Sequence, residues 1–191
     1  MEIQHLFTTP VSVEYLQIDN NRLEHYCQTA IAHAVDHPNQ SGRLDVTAQE
    51  LQPLLDEILL KLEEIHIALN FKVGTKFKID KAWANLNNSN PIDLPHCHPG
   101  STFSAVYYIK GTGAPENGNL ILLSPLISAV QLAISDDHKE VNNRFNSWHC
   151  TIPPETGKLV IFPSWVMHSV SPNRLPSDRM SIAIDAVLVN K

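Results

Sequence analysis

Three histidines occur in two short segments whose spacing suits metal binding. His96 and His98 flank Cys97 shortly before the apolar run 103–109, and His168 follows the apolar segment 157–163. In an extended segment, side chains two residues apart lie on one face, so His96 and His98 could both reach one ion, or one could bind while the other supports it. The pattern favours a metal centre at these histidines; the structural alternative is a set of unrelated loop and hairpin histidines.

Arg179 and Ser181 open the last apolar run of the chain, eleven residues beyond His168. In a strand they would share one face, and this face should point inward. The planar guanidinium can bind a carboxylate through two parallel hydrogen bonds, and a serine hydroxyl can add a third donor. We therefore expect a carboxylate clamp here, against the alternative of a surface arginine at the start of a strand.

The composition excludes several other classes of protein. The 191 residues are 43% hydrophobic and 18% charged, with 20 acidic against 14 basic residues. This is ordinary globular usage, and we expect one domain over residues 1–191. Without a Lys/Arg block, no nucleic-acid partner is expected. The start of the chain resembles no signal peptide, and no long apolar run suggests a membrane span, so we expect a cytoplasmic protein without a membrane partner.

Apolar residues recur at helical spacing in the first part of the chain, over 23–35 and more strongly over 51–69. Residues 1–70 are therefore expected to form a helical support region. The second helix would begin with a capping box between Thr47 and Glu50. Pro53 lies beyond the first turn of such a helix, so the alternatives are a start nearer Gln52 or a kink.

Short β-rich runs broken by Gly, Pro and Asn dominate the rest of the sequence. We predict strands over 71–79, 81–87, 103–109, 119–123, 158–162, 166–171 and 179–189. Many short strands without helices between them favour a sandwich or barrel of the jelly-roll type, with residues 71–191 as its core. The segment 124–157 is expected to be an insertion or lid, since long connections are often functional.

Taken in order, the HxH pair, the run 104–109, the segment 157–168 and Arg179-x-Ser181 resemble the iron and 2-oxoglutarate-dependent dioxygenases. The similarity covers roughly residues 80–188, and the nearest group is a little-characterised microbial and phage subgroup akin to prolyl hydroxylases. The resemblance implies a double-stranded β-helix, a cupin-like barrel with N-terminal helices. It also implies Fe(II), 2-oxoglutarate and O2 as cofactor and cosubstrates, and hydroxylation of a substrate with release of succinate and CO2.

By position, the resemblance assigns His96 and His168 as iron ligands and the pair Arg179 and Ser181 as the clamp for the distal carboxylate of 2-oxoglutarate. Tyr108 would donate to the same cosubstrate, and Trp83 and Asn85 would form walls of the cofactor pocket, although Trp83 could equally belong to the core. His98 stands where the family usually has Asp. Three neutral imidazoles suit zinc as well as iron, and Asp93 is an alternative source of the missing carboxylate.

Two rival functions are a cupin-like metal-binding protein without 2-oxoglutarate chemistry and a non-catalytic β-sandwich. A cupin needs a Glu soon after the HxH pair, which residues 99–104 do not contain, and it has no need of Arg179 and Ser181. The substrate, small molecule or peptide, cannot be read from composition. A homodimer is one of the oligomeric states that stay open.

Overall fold

The computed structural model describes residues 8–34, 39–88, 93–126, 135–141, 143 and 146–191. In chain order, these residues form β1 (Ser12–Tyr15), α1 (Asn20–Ala32), α2 (Gln52–Ala68), β2 (Thr75–Asn87), β3 (Asp93–His96), β4 (Phe103–Lys110), β5 (Leu120–Leu123), β6 (His149–Ile152), β7 (Lys158–Pro163), β8 (His168–Val170) and β9 (Arg179–Asn190). Single 3-10 turns lie at Pro115–Asn117 and Asp136–His138. No helix in the described ranges is long and apolar enough to cross a membrane.

The strands form two antiparallel sheets that pack face to face. The larger sheet has the order β1-β7-β4-β9-β2, and the smaller one has the order β3-β8-β5-β6. Apolar side chains of both sheets share one cluster, in which Val160 and Phe162 meet Leu120, Leu122 and Ile152. The predicted mainly β fold of jelly-roll type with N-terminal helices is therefore what the chain adopts.

The two helices cover the outer face of the larger sheet. Leu23 and Cys27 of α1 and Leu54 and Ile58 of α2 are fully or almost fully buried against it. The Asp19 carboxylate caps α1 by accepting from the amides of its first turn. This layer confirms the predicted amphipathic helices, and it makes the larger sheet a rigid wall with one face left for the cavity.

Strand β9 lies between β4 and β2 and is buried on both faces over its first eight residues. Its even-numbered residues, from Met180 to Ala186, pack against the helices. Because strand side chains alternate between faces, the odd-numbered residues point towards the smaller sheet. Arg179, Ser181 and Ala183 accordingly line a cavity between the sheets.

A β-bulge in β2 turns the second half of that strand towards the same cavity. Opposite β9, Ile79 pairs with Ala186 while Lys81 pairs with Asp185, so Asp80 is the extra residue. Before the bulge, Phe77 and Ile79 face the helices; after it, Ala82 and Ala84 do so. Lys81, Trp83 and Asn85 therefore line the cavity. The break predicted between 79 and 81 corresponds to this bulge within one strand.

The predicted capping box of the second helix was wrong. The carboxylate that accepts from the Thr47 amide is that of Asp45, at 2.8 Å, and not that of Glu50. The same Asp45 oxygen accepts from the Thr47 hydroxyl at 2.7 Å. Helix α2 begins at Gln52 without a side-chain cap, with Pro53 in its first turn, where the missing amide costs no hydrogen bond. Of the two alternatives for Pro53, the later start is correct.

Strands β1, β3 and β6 were not predicted, because each is only four residues long and half exposed or more. Strand β6 falls inside the segment 124–157 and belongs to the smaller sheet, so this part is framework instead of a lid. Residues 127–134, 142, 144 and 145 of that segment lie outside the described residues, and the lid expected there stays a prediction.

The turn after β4 packs closely against the segment that precedes β7. A Cβ on Gly111 would lie 2.6 Å from the Pro154 carbonyl carbon, whereas one on Gly42 would meet nothing within 4 Å. Gly111→Ala should lower the free energy of unfolding by about 1–3 kcal/mol, as overpacking does. Gly42→Ala should change it by less than about 0.5 kcal/mol. Urea unfolding of both variants checks this, and equal stabilities would contradict the close packing of the turn.

Candidate metal and cosubstrate site

The three predicted histidines meet at one end of the cavity. His96 ends β3 and His168 begins β8, and the two are paired across the strands with ring centroids 4.3 Å apart. His98 follows β3, where its amide donates to the Ser164 carbonyl at 2.9 Å. One ring nitrogen of each histidine lies within 4.8 Å of the others, close enough for all three to bind one metal ion.

The second nitrogen of each ring is already engaged. His96 Nδ1 lies 2.7 Å from the Leu94 carbonyl oxygen, and His168 Nδ1 lies 2.9 Å from that of Val166. His98 Nδ1 lies 2.7 Å from a carboxylate oxygen of Asp185. All three partners are acceptors, so each Nδ1 carries the proton and donates it. The lone pair of each ring is left on Nε2, as a metal ligand requires.

His168 is the most deeply buried of the three histidines, with 4% of its surface exposed. Burial lowers the pKa of His168 to about 4, although its hydrogen bond to the Val166 carbonyl acts in the opposite direction. The ring is therefore neutral around pH 7, and a metal ion need not compete with a proton for Nε2.

Asp185 is the acidic group at the back of the histidine cluster. Its side chain is fully buried, and one carboxylate oxygen accepts from His98 Nδ1 and from the Ser104 hydroxyl, both at 2.7 Å. Burial alone would raise the pKa of Asp185, but these hydrogen bonds outweigh it and leave the pKa below its ordinary value. The group is thus an anion at neutral pH.

Arg179 is a buried cation without a buried anion to match it. Its side chain is 2% exposed; one terminal nitrogen donates to the Gly118 carbonyl at 2.8 Å, and Nε has no hydrogen-bond partner. No carboxylate of the described residues forms an ion pair with it. Burial lowers the pKa of Arg179, and the charge of the nearby Asp93 opposes this only in part. Such a group is costly unless a ligand completes it.

The cavity, of about 830 Å³, connects the histidine cluster with Arg179. Tyr108, Ser181, Asn85 and Trp83 line it, as do the three histidines. Burial raises the pKa of Tyr108 to about 12, so the phenol stays protonated and can donate. The Asn85 amide oxygen accepts from Gln40 at 2.8 Å, and Trp83 lies 5.4 Å from His98, ring centre to ring centre.

The structure thus brings every residue predicted to bind the metal or the cosubstrate to one cavity. Asp93 also lines it, but it does not belong to the group of described residues able to hold a metal, whereas His98 does. Of the two sources considered for the third ligand, the geometry favours His98.

Sequence reasoning missed Asp185, Ser104 and Lys81. Asp185 lies in the predicted last strand, an even number of residues from Arg179 and Ser181. Strand alternation alone would therefore have placed this acidic residue on the same face as both. Ser104 comes close only because it pairs with Asp185 across β4 and β9. The position of Lys81 depends on the β2 bulge, for which a single sequence carries no clear signal.

The profile of a protein family described as "Putative 2OG-Fe(II) oxygenase" matches residues 81–185, more than half of the chain. The chain belongs to this family. It is therefore an oxidoreductase of the class that uses iron, 2-oxoglutarate and O2, as the resemblance implied. No curated protein sequence matches it.

Solved structures of 2-oxoglutarate-dependent enzymes share the fold at low identity. The epimerase SnoN from nogalamycin biosynthesis, in complex with Fe3+, alpha ketoglutarate and nogalamycin RO, has a TM-score of 0.63 and 13% identity over 95% of this chain and 81% of its own. A Pseudomonas putida prolyl-4-hydroxylase has a TM-score of 0.58 and 19% identity over 95% and 94%. HygX from Streptomyces hygroscopicus, with nickel and 2-oxoglutarate bound, has 0.58 and 13% over 94% and 83%. These similarities confirm the double-stranded β-helix.

The residues present fit both groups that the family uses. The three Nε2 atoms lie close enough together to hold one divalent ion, and three protein ligands would leave further positions for a cosubstrate, as an iron oxygenase site needs. The orphaned Nε of Arg179 and the protonated Tyr108 supply donors for a carboxylate in the same cavity. The site therefore has one end suited to a divalent cation and another suited to an anion.

Metal titrations would identify the ligands. We expect one Zn(II) or Co(II) per chain, with affinity reduced in His96→Ala, His98→Ala and His168→Ala by more than the roughly 10–100-fold lost with an outer-shell partner. Asp93→Asn should bind like the wild type, because Asp93 is outside the cluster. Calorimetry measures the affinity and the number of ions bound in each variant. Weak binding by Asp93→Asn together with tight binding by His98→Ala would make Asp93 the third ligand instead.

Proposed function

We propose that the cavity binds one Fe(II) through His96, His98 and His168 and one 2-oxoglutarate through Arg179. The enzyme would hydroxylate a small-molecule or peptide substrate and release succinate and CO2. The observation that carries the proposal is the buried, incompletely satisfied guanidinium of Arg179 in the same cavity as a three-histidine cluster.

Arg179 is the residue that favours 2-oxoglutarate over a neutral ligand. A carboxylate entering the cavity would pair with the guanidinium in a water-poor environment, where charge-assisted hydrogen bonds are strong. The Gly118 carbonyl holds one terminal nitrogen and so orients the plane of the group. The cavity continues to the histidines, which leaves the other end of an extended dicarboxylate free to reach the metal.

Tyr108 and Ser181 support the same carboxylate. They are paired residues of β4 and β9, both are buried, and both line the cavity on the side of Arg179. The preceding Tyr107 points to the helices and donates to Asn20, which shows that strand alternation reserves Tyr108 for the cavity. Asn85, paired with Ser181 across β2 and β9, completes this wall.

When bound, iron and 2-oxoglutarate couple decarboxylation of the cosubstrate to oxidation of a C–H bond. The residues of this chain bind and orient these groups and keep water away. Val106, Leu120, Phe162 and Ala183 provide apolar lining between the charged ends of the cavity. The substrate would bind at the wall of the cavity on the side of β2 and β3. This wall includes Gln40, Arg43 and Leu94.

Arg179→Met tests the clamp. The change removes the guanidinium but keeps much of its apolar volume, so the fold should persist. Loss of a buried charged contact of about 3 kcal/mol corresponds to roughly 100-fold weaker 2-oxoglutarate binding. The measurement is the visible metal-to-ligand charge-transfer band that forms when 2-oxoglutarate is added to the Fe(II) protein without oxygen, titrated in both proteins.

Arg174→Met is the matched control, because Arg174 is exposed on the loop before β9. It should give the wild-type band at wild-type concentrations of 2-oxoglutarate. A wild-type titration by Arg179→Met would refute the clamp. Metal binding by the wild type without any band would favour a three-histidine site without 2-oxoglutarate chemistry.

Tyr108→Phe should raise the 2-oxoglutarate concentration needed for half-maximal succinate formation by about tenfold, the effect of one hydrogen bond of roughly 1–1.5 kcal/mol. The ring and its packing stay, so the melting temperature should change little. Tyr107→Phe, which loses a hydrogen bond on the helix side, is the comparison. If both variants show the same titration, Tyr108 does not contact the cosubstrate.

A further inference from the structure

We infer that Asp185 is a positioning residue of the metal centre: through His98 it supplies, one hydrogen bond behind the ligand, the negative charge that three histidines lack. The inference rests on the proposed metal site and deepens it. It assigns a role to a residue that neither the sequence motif nor the fold required.

The hydrogen bonds of Asp185 converge on His98. Carboxylate Oδ1 accepts from His98 Nδ1 and from Ser104 Oγ, each at 2.7 Å. Ser104 Oγ lies a further 2.9 Å from Ser164 Oγ, and the Ser164 carbonyl accepts from the His98 amide. The imidazole is thus held by its ring and by its backbone within one buried network. Both its orientation and its tautomer follow from these contacts.

His96 and His168 provide an internal comparison. Their Nδ1 protons go to neutral backbone carbonyls, whereas that of His98 goes to a carboxylate. A charged acceptor polarises the N–H bond more strongly and makes the opposite nitrogen a more basic ligand. His98 should therefore be the most electron-donating ligand of the three. It occupies the position where the family resemblance places a carboxylate, so the charge is retained but moved outward.

Lys81 defines the alternative explanation. Its ammonium lies 3.2 Å from Asp185 Oδ2, and the two residues are paired across β2 and β9. Asp185 could then be only half of an ion pair that joins two strands. Yet Lys81 is 37% exposed while Asp185 is fully buried, and the two hydrogen bonds at 2.7 Å belong to the other oxygen. An exposed partner contributes little to stability, which leaves the link to His98 as the stronger constraint.

The first test needs no variant. In the Zn(II)-loaded wild-type protein, nitrogen-proton correlation spectra of the histidine rings should show Nδ1 protons for all three ligands. The His98 Nδ1 proton should appear downfield of the other two, because its acceptor is charged. Three similar proton shifts would overturn the inference, whatever the behaviour of any mutant.

The second test compares Asp185→Asn with Lys81→Met by Co(II) titration, followed through the visible Co(II) spectrum. Asp185→Asn keeps the shape and removes the charge, so it should weaken Co(II) binding by about 10–100-fold and shift the spectrum. Lys81→Met breaks the strand-joining ion pair but leaves the carboxylate on His98, so its loss of Co(II) affinity should be clearly smaller than that of Asp185→Asn.

Equal losses in the two variants, or wild-type affinity in Asp185→Asn, would reduce Asp185 to a strand-joining residue and overturn the inference. The proposed function fails in a different way, since it would be refuted if the wild-type protein itself bound neither Co(II) nor Zn(II). Melting temperatures of the metal-free proteins show whether any loss of binding comes from unfolding.

Discussion

The site depends on strand β9 being buried on both faces. A strand between two neighbours must present alternate residues to opposite sides, and here one side is a layer of helices and the other a cavity. Met180, Ile182 and Ile184 pack against the layer of helices. Arg179 lines the cavity, and Asp185, on the same face of the strand, lies behind His98. A shift of one residue in this strand would send the charged groups into the helical core, so the register of the sheet and the chemistry of the site are inseparable.

The buried side chains of Arg179 and Asp185 carry opposite charges but are not paired with each other. Arg179 has no carboxylate partner among the described residues, and Asp185 spends its hydrogen bonds on His98 and Ser104. Buried charges normally lower stability unless they are matched. A dicarboxylate would complete Arg179, and a divalent cation bound by His98 would add to the positive charge that Lys81 already places beside Asp185. Ligands that bind the folded protein at this site are therefore expected to raise its free energy of unfolding.

In the proposed site, a third imidazole would stand in place of a carboxylate ligand, and the negative charge would lie further from the ion. The ion would be bound by three neutral nitrogens, and Asp185 would influence it through the hydrogen bond to His98 Nδ1. With neutral ligands, the net charge of the occupied site would be one unit more positive than with a carboxylate ligand. A dianionic cosubstrate is favoured there, and the same property makes the site attractive to zinc.

The sequence alone determined the mainly β fold with two amphipathic helices, the HxH pair, His168 and the Arg179-x-Ser181 pattern, because periodicity and residue chemistry are local properties. It could not determine that His98 and Asp185, 87 positions apart, are joined by a hydrogen bond. It also could not predict the bulge at Asp80 that turns Lys81, Trp83 and Asn85 inward, or the short strands β3 and β6. Those features are decided by which strands become neighbours and in what register. This choice depends on burial across the whole core, so only the tertiary structure shows it.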